Sequence, residues 1–105
     1  MPDVRIETKK RSRLLEGQPT WYTGTTNGNY FEACVYIEAS RFGIGGGMVS
    51  KLWMCTGPQR TPEFEIAAYD REWERKPDEA TQRLVDAVIA AVEADMRTGQ
   101  DTAEM

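Results

Sequence analysis

Apolar and polar residues alternate along two central stretches of the chain, as they do in β-strands that bury one face. Residues 30–39 carry their apolar side chains at odd-numbered positions, and residues 48–55 carry theirs mainly at even-numbered positions. Shorter runs rich in β-forming residues lie at 20–25 and 64–69. These four segments predict four β-strands.

The alternation also assigns each side chain to a face of the predicted sheet. The positions expected to face the core are Phe31, Ala33, Val35, Ile37, Ala39, Met48, Leu52, Met54, Phe64, Ile66 and Ala68. The positions expected to face outward include Cys34, Val49, Cys55 and Ala67, together with an aromatic and acidic set that we predict to bind a protein. That set is Tyr30, Glu32, Tyr36, Glu38, Lys51, Trp53, Glu65 and Tyr69.

After Pro77 the apolar spacing changes to three and four residues, which is the period of one helix face. The apolar stripe is Leu84, Val85, Val88, Ile89, Val92 and Met96. Gly99 follows this stripe and is expected to end the helix. The predicted fold class is therefore α+β, with a four-stranded antiparallel β-meander packed against one C-terminal α-helix.

The predicted domain covers residues 20–98, followed by a frayed tail at 99–105. Residues 1–19 are polar and lack a sustained period, so we expect a flexible N-terminal arm. Val4 and Ile6 alternate with charges within that arm, which leaves a short edge strand at 3–8 as the alternative.

Four of the five residues from 43 to 47 are glycines, which suggests a phosphate-binding loop. The spacing argues against it, because Met48 stands where GxGxxG needs glycine and no Lys-Ser/Thr pair follows. The segment also leads into a strand rather than a helix. We predict a structural turn, with a loop that closes on a partner, or a small ligand such as a nucleotide beside Tyr69, Asp70 and Arg71, as the alternatives.

The chain contains no histidine, which excludes the histidine-dependent catalytic triads and the usual zinc sites. Three carboxylates at 70, 72 and 74 alternate with arginines and are expected to be solvated. The two cysteines are expected to be reduced and partly exposed, with Cys34 opposite Trp53 if the connecting loop is symmetric. We therefore predict no enzymatic activity, no cofactor and no metal site.

The net charge of −4 is unevenly distributed. Residues 63–105 carry twelve acidic and five basic residues, whereas residues 9–13 read KKRSR. The basic run offers nucleic-acid binding as an alternative function, although an acidic body disfavours it. With no secretory signal and no apolar run long enough to cross a membrane, we expect a cytoplasmic protein that does not bind membranes.

The sequence FGIGGGMVSKLWM at 42–54, followed by AYDREW at 68–73 and by Pro77, resembles an uncharacterised family of small phage and prophage proteins of Gram-positive bacteria. Its pattern resembles YGIxGGxISKLxI…YDRGW…P, and the resemblance covers about residues 30–95. Here Phe42 replaces tyrosine, Met48-Val49 replaces a polar residue and isoleucine, and Glu72 replaces glycine. The shared residues of unknown role are Gly43, Gly46, Ser50, Lys51, Tyr69, Asp70, Arg71 and Trp73.

The resemblance implies a phage context, with the host cytoplasm as the location, but no chemistry. Together with the predicted outward face, it leads us to expect an accessory protein that binds a host or phage protein. Inhibition of a bacterial defence or regulatory protein is the use we expect of such a module. The alternative is a homodimer in which a second copy of the chain covers the same face.

Overall fold

The computed structural model describes residues 2–11 and 19–103 of the chain. It contains one antiparallel sheet of six strands in the order β1-β2-β3-β4-β5-β6, with one helix across one face. The strands are β1 (Val4–Arg11), β2 (Thr20–Thr26), β3 (Asn29–Val35), β4 (Val49–Cys55), β5 (Glu65–Asp70) and β6 (Trp73–Arg75), and the helix is α1 (Glu79–Ala103). Short 3₁₀ turns lie at Ile44–Gly46 and Pro62–Phe64.

The α+β class and the C-terminal helix are confirmed, but the predicted count of four strands is wrong. The strand β1 lies within the segment predicted to be a flexible arm, and β6 lies within the connector after β5. The part of the predicted arm at 12–18 lies outside the described residues, as do residues 104 and 105 of the predicted tail.

The edge strand β1 is held to the fold by its ladder with β2 and by one polar contact to the helix. Val4 and Ile6 pack against the core. Lys9 Nζ lies 2.7 Å from Asp95 Oδ2 on α1, and the Tyr22 hydroxyl donates to the same oxygen at 2.7 Å. A carboxylate 86 residues further along the chain therefore fixes a strand whose own sequence is mostly polar.

The helix begins at a capped N-terminus and covers the core with the predicted stripe. The Asp78 carboxylate accepts a hydrogen bond from the Thr81 backbone N–H at 2.8 Å, and this bond lowers the pKa of Asp78. Four residues of the stripe are fully buried, namely Val85, Val88, Val92 and Met96. The helix continues through Gly99, where we expected it to end, to Ala103.

Two β-bulges change the faces of β4 and β5 from those that simple alternation predicts. Val35 pairs with Val49 while Cys34 pairs with Lys51, so Ser50 is an extra residue and Val49 turns into the core. The expectation that Val49 faces outward is therefore wrong.

The second bulge lies between β4 and β5, where Met54 pairs with Ala67 but Cys55 pairs with Glu65. The extra residue there is Ile66, which packs against the core as expected, and the predicted faces are reversed from Ala67 onward. Ala67 and Tyr69 are buried in the core rather than outward. In contrast, Ala68 lies opposite Trp53 on the outward face, and Phe64 is 57% exposed rather than inward.

The strand β3 ends at Val35, so the predicted continuation to residue 39 is wrong. Ile37, which was expected in the core, is exposed, as is Ala39. The connection to β4 is not a symmetric hairpin, and Cys34 lies opposite Lys51 instead of Trp53.

Both cysteines are free, but they are buried rather than partly exposed.

Candidate functional site

The outward face of the sheet, opposite α1, divides into two regions of different character. One cross-strand row runs through Trp21, Cys34, Lys51 and Asp70, and the next through Thr23, Glu32, Trp53 and Ala68. We call the region around the second row the paired patch; it comprises Tyr30, Glu32, Trp53, Arg60, Glu65 and Arg75. We call the region beyond the first row the cleft; it is formed by the segment 36–42 with Ser50, Lys51 and Arg71.

Every charged group of the paired patch has a partner within the patch. Glu32 accepts hydrogen bonds from the Tyr30 hydroxyl at 2.7 Å and from Arg60 Nε at 2.9 Å. Glu65 accepts hydrogen bonds from Trp53 Nε1 at 2.6 Å and from Arg75 Nε at 2.7 Å. These contacts use the donors and acceptors that a protein partner would otherwise have to satisfy.

The rings of the paired patch are also packed against one another. Tyr30 meets Trp53 edge-on with ring centroids 6.2 Å apart, and the Arg60 guanidinium lies 5.0 Å from the centroid of the Trp53 ring. Burial and the hydrogen bond to Glu32 raise the pKa of Tyr30 to about 12. Hydrogen bonds from Arg75 and Trp53 lower the pKa of Glu65. The patch is thus a closed network of hydrogen bonds, ion pairs and ring contacts.

The cleft has a volume of about 770 Å³ and is walled by exposed apolar side chains. Tyr36, Ile37 and Phe42 line it and are 39%, 49% and 43% exposed. A volume of this size lies within the range of clefts that take small molecules. Apolar groups of this size are usually buried, so their concentration around one concavity makes the cleft a candidate binding surface.

The segment 36–42 is held in place by backbone contacts to the start of β4. The Tyr36 N–H donates to Met48 O at 2.9 Å, and the Ser40 N–H donates to Gly47 O at 3.1 Å. The Tyr69 hydroxyl reaches out of the core and donates to Phe42 O at 2.8 Å. This wall of the cleft is therefore tied to both β4 and β5.

The opposite wall contains the residues that carry the sequence resemblance. The Arg71 N–H donates to Ser50 O at 3.2 Å, and Arg71 adopts a positive φ of 68° in the turn between β5 and β6. Trp73 packs edge-on against Tyr69 with ring centroids 5.0 Å apart. Lys51 Nζ lies 3.9 Å from Asp70 Oδ1. Of the shared residues of unknown role, Ser50, Lys51 and Arg71 therefore line the cleft, whereas Tyr69 and Trp73 pack with the core.

The glycine cluster forms the compact turn behind this site, as predicted. A Cβ on Gly43 would lie 2.0 Å from Gly47 O, so only glycine fits there. Gly45 and Gly46 both have positive φ. The Glu93 carboxylate on α1 accepts a hydrogen bond from the Met48 N–H at 3.0 Å and anchors the end of the turn. The glycines therefore shape the backbone that carries the cleft.

The two arginines at the cleft differ from those of the paired patch. The Arg41 and Arg71 guanidiniums lie 4.8 Å and 5.4 Å from the centroid of the same Phe42 ring. Neither forms an ion pair with any carboxylate of the described residues. A guanidinium stacked on a ring keeps its in-plane N–H donors available.

Ser50, the extra residue of the first bulge, also lines the cleft. It is only 8% exposed, and its hydroxyl oxygen has no nitrogen or oxygen partner. The neighbouring Cys34 thiol has a pKa raised by burial, which the Ser50 hydroxyl and Lys51 partly oppose. The Ser50 hydroxyl therefore has the Cys34 sulfur as its neighbour at the wall of the cleft, and sulfur is a weak acceptor.

Residues 20–93 match the family described as a domain of unknown function, DUF7678. The chain belongs to the DUF7678 family. The DUF7678 segment begins at the first residue of β2 and contains all of the paired patch and the cleft, but not β1. No curated protein and no solved structure matches the chain.

The site residues predicted for this DUF7678 protein fall in three places. Tyr30, Glu32, Trp53 and Glu65 lie in the paired patch, whereas Tyr36, Glu38 and Lys51 line the cleft. Tyr69 is a core residue, because the second bulge turns it inward. The prediction missed Ile37 and Phe42 as parts of the site. Phe42 belongs to the shared sequence pattern, which was the available signal for it; Ile37 had none.

No helix in the described part of the chain is long and apolar enough to cross a membrane. Within residues 2–11 and 19–103, no three His, Cys, Asp or Glu residues are grouped so as to hold a metal ion.

Proposed function

We propose that this protein is a non-enzymatic accessory protein of phage origin that binds a host or phage protein through the cleft. The observation that carries the proposal is the grouping of Tyr36, Ile37 and Phe42, all well exposed, around one concave site. Aromatic side chains at a concavity are typical anchors of protein interfaces, where they supply much of the binding energy. The phage context rests on the sequence resemblance.

The proposal moves the binding surface from the whole outward face to one end of it. The charged side chains of the paired patch are not available to a partner, since its carboxylates and arginines already bind one another. The cleft keeps exposed apolar area and unpaired cations. Trp21, 41% exposed and in the same cross-strand row as Lys51, extends this surface away from the cleft.

Inhibition of a bacterial defence or regulatory protein in the host cytoplasm is the role we propose for such binding. A small protein without histidine has few means of catalysis, and blocking a partner requires only a stable complex. Nucleic-acid binding is less well supported, because Lys9 of the basic run is paired with Asp95 of the helix.

The test is capture of a partner from a lysate of the bacterial host by the immobilised full-length chain. The double variant Tyr36→Ala with Phe42→Ala is expected to lose the captured partner, because both cleft anchors are truncated. Phe64→Ala is the matched control: Phe64 is also exposed, at 57%, but lies on the 3₁₀ turn before β5. It is expected to capture as the unaltered chain does.

Circular dichroism establishes that each variant is folded before capture is compared. If the folded double variant still captures the same protein, the cleft is not the binding surface. The remaining alternative is a homodimer, which size-exclusion chromatography with light scattering detects. If the unaltered chain is a dimer and the double variant is a monomer, the partner is a second copy of this chain.

A further inference from the structure

The charges at the cleft point to the chemistry of the group that enters it, if the proposed protein binding is correct. The protein as a whole has a net charge of −4, yet Lys51 and Arg71 line the cleft and Arg41 lies on the same Phe42 ring. A local group of cations on an acidic protein favours an anionic partner.

Arg71 is the cation best placed to make a directional contact. Its backbone is fixed by the hydrogen bond to Ser50 O, and its guanidinium lies against the Phe42 ring. Both contacts hold the side chain near the cleft without using its in-plane donors, which match the two oxygens of a carboxylate. In the paired patch, by contrast, Arg60 and Arg75 have each found a carboxylate within the fold.

Lys51 and Ser50 add two further donors beside Arg71. Lys51 Nζ is 3.9 Å from Asp70 Oδ1, and both side chains are about half exposed, so this ion pair is weak and leaves the ammonium open to another anion. The Ser50 hydroxyl lies buried at the wall of the cleft without a nitrogen or oxygen partner. An entering anion would offer that hydroxyl an oxygen acceptor in place of the Cys34 sulfur.

We propose that the cleft binds the carboxylate of an acidic side chain in an extended segment of the protein partner. Arg71 and Lys51 bind the carboxylate, the Ser50 hydroxyl donates to it, and a neighbouring apolar side chain of the segment packs on Tyr36 and Phe42. The proposal rests on the proposed function and names the partner's chemistry at that same site.

A singly charged carboxylate fits the cleft better than a phosphate does. Glu38 lines the same cleft, and Asp70 lies beside Lys51. Against the three cations Arg41, Lys51 and Arg71 they leave a local charge of about one positive unit, which a carboxylate neutralises and a phosphate, with nearly two negative charges, exceeds. Phosphoserine therefore serves as a discriminating probe rather than as the proposed ligand.

The test uses three blocked peptides and the full-length chain labelled with ¹⁵N for NMR. The peptides are acetyl-Ala-Phe-Glu-Phe-Ala-amide, the same sequence with glutamine, and the same sequence with phosphoserine. The glutamate peptide is expected to bind about tenfold more tightly than the glutamine peptide, since charge-assisted hydrogen bonds exceed neutral ones by roughly that factor. Its chemical-shift changes should centre on residues 36–42, Ser50, Lys51 and Arg71.

Two variants separate the anion contact from the fold. Arg71→Gln with Lys51→Gln is expected to abolish the preference for glutamate, while Arg75→Gln, in the paired patch, is expected to keep it. Equal binding of the glutamate and glutamine peptides, tighter binding of the phosphoserine peptide, shift changes centred on the paired patch, or no binding at millimolar concentration would each overturn the proposal. If protein capture through Tyr36 and Phe42 persists in that case, the proposed function stands without the carboxylate contact.

Discussion

The paired patch and the cleft lie on the same face of the same sheet, yet they differ in whether their charged side chains are paired within the fold. In the paired patch, two arginines, two carboxylates and two aromatic rings satisfy one another at distances of 2.6 to 2.9 Å. At the cleft, two arginines rest on one phenylalanine ring and no carboxylate of the described residues pairs with them. The first arrangement is complete in the free protein, whereas the second gains contacts only when something binds.

This difference teaches that aromatic and charged composition alone does not identify a binding surface. Trp53 and Tyr30 have the composition of an interface, but their polar atoms are already used within the fold. Tyr36 and Phe42 belong to the segment that leaves the sheet after β3 and keep their exposed area. Exposed groups that lack partners within the fold therefore distinguish a binding surface from the rest of the protein better than residue type does.

The largest effect in the comparison should come from the glycine turn that supports the cleft. Gly43→Ala places a Cβ 2.0 Å from Gly47 O, which forces the backbone of the turn to move. We expect the free energy of unfolding to fall by about 2 to 3 kcal/mol, as for other overpacked sites, and the cleft to be lost. Urea unfolding measures the first, and peptide binding measures the second.

Gly45→Ala is the control for this substitution. A Cβ at Gly45 meets no atom within 4 Å, so only the positive φ of 61° opposes alanine, at a cost of about 1 to 2 kcal/mol. If Gly45→Ala costs more than Gly43→Ala, close backbone packing of the turn is not what fixes the cleft.

The next effect compares two tryptophans on the outward face. Trp53→Phe removes the indole N–H that donates to Glu65 at 2.6 Å, and we expect a loss of about 1.5 kcal/mol in the free energy of unfolding. Trp21→Phe changes an exposed residue and should cost no more than about 0.5 kcal/mol. Equal losses in urea unfolding would show that the paired patch is not the more closely connected region.

The smallest effect is the pH dependence of the paired patch. The pKa of Glu65 is lowered in the folded protein by Arg75 and Trp53, so this carboxylate stabilises the fold above its ordinary pKa of 4.5. That contribution is lost as the pH falls from about 4.5 through the lowered folded-state pKa, and a pair at the surface supplies less than about 1 kcal/mol. Glu65→Gln should lose less stability than the unaltered chain over this range. If urea unfolding shows the same loss of stability in both proteins, the lowered pKa of Glu65 does not contribute to the pH dependence.

The sequence predicts most of the strands and the helix because their apolar residues recur with a clear period. The alternation through β3 and the stripe on α1 each follow from side chains that must be buried together, and Phe31, Val88 and Val92 are buried as expected. The strand β1 was predicted only as the alternative to a flexible arm, as a short edge strand at 3–8, because the contact of Lys9 with Asp95 joins residues far apart in the chain.

The candidate site was predicted only in part, because two bulges and one strand end decide it. Nothing in the sequence near Ser50 or Ile66 marks either as an extra residue, yet the first bulge turns Val49 inward and the second reverses the faces from Ala67 onward. Ile37 has the parity of a core residue but follows the end of β3 and is 49% exposed. Alternation assigns side chains to faces only while the strand pairing is regular, and the cleft begins where the pairing of β3 ends.

The most direct test of the division between cleft and paired patch is site-specific photocrosslinking to the captured partner. The photoreactive residue p-benzoylphenylalanine replaces either Phe42 at the cleft or Arg60 in the paired patch, two positions that are both exposed. Binding through the cleft predicts a crosslink to the partner from position 42 and none from position 60. A crosslink from position 60 without one from position 42 would contradict it.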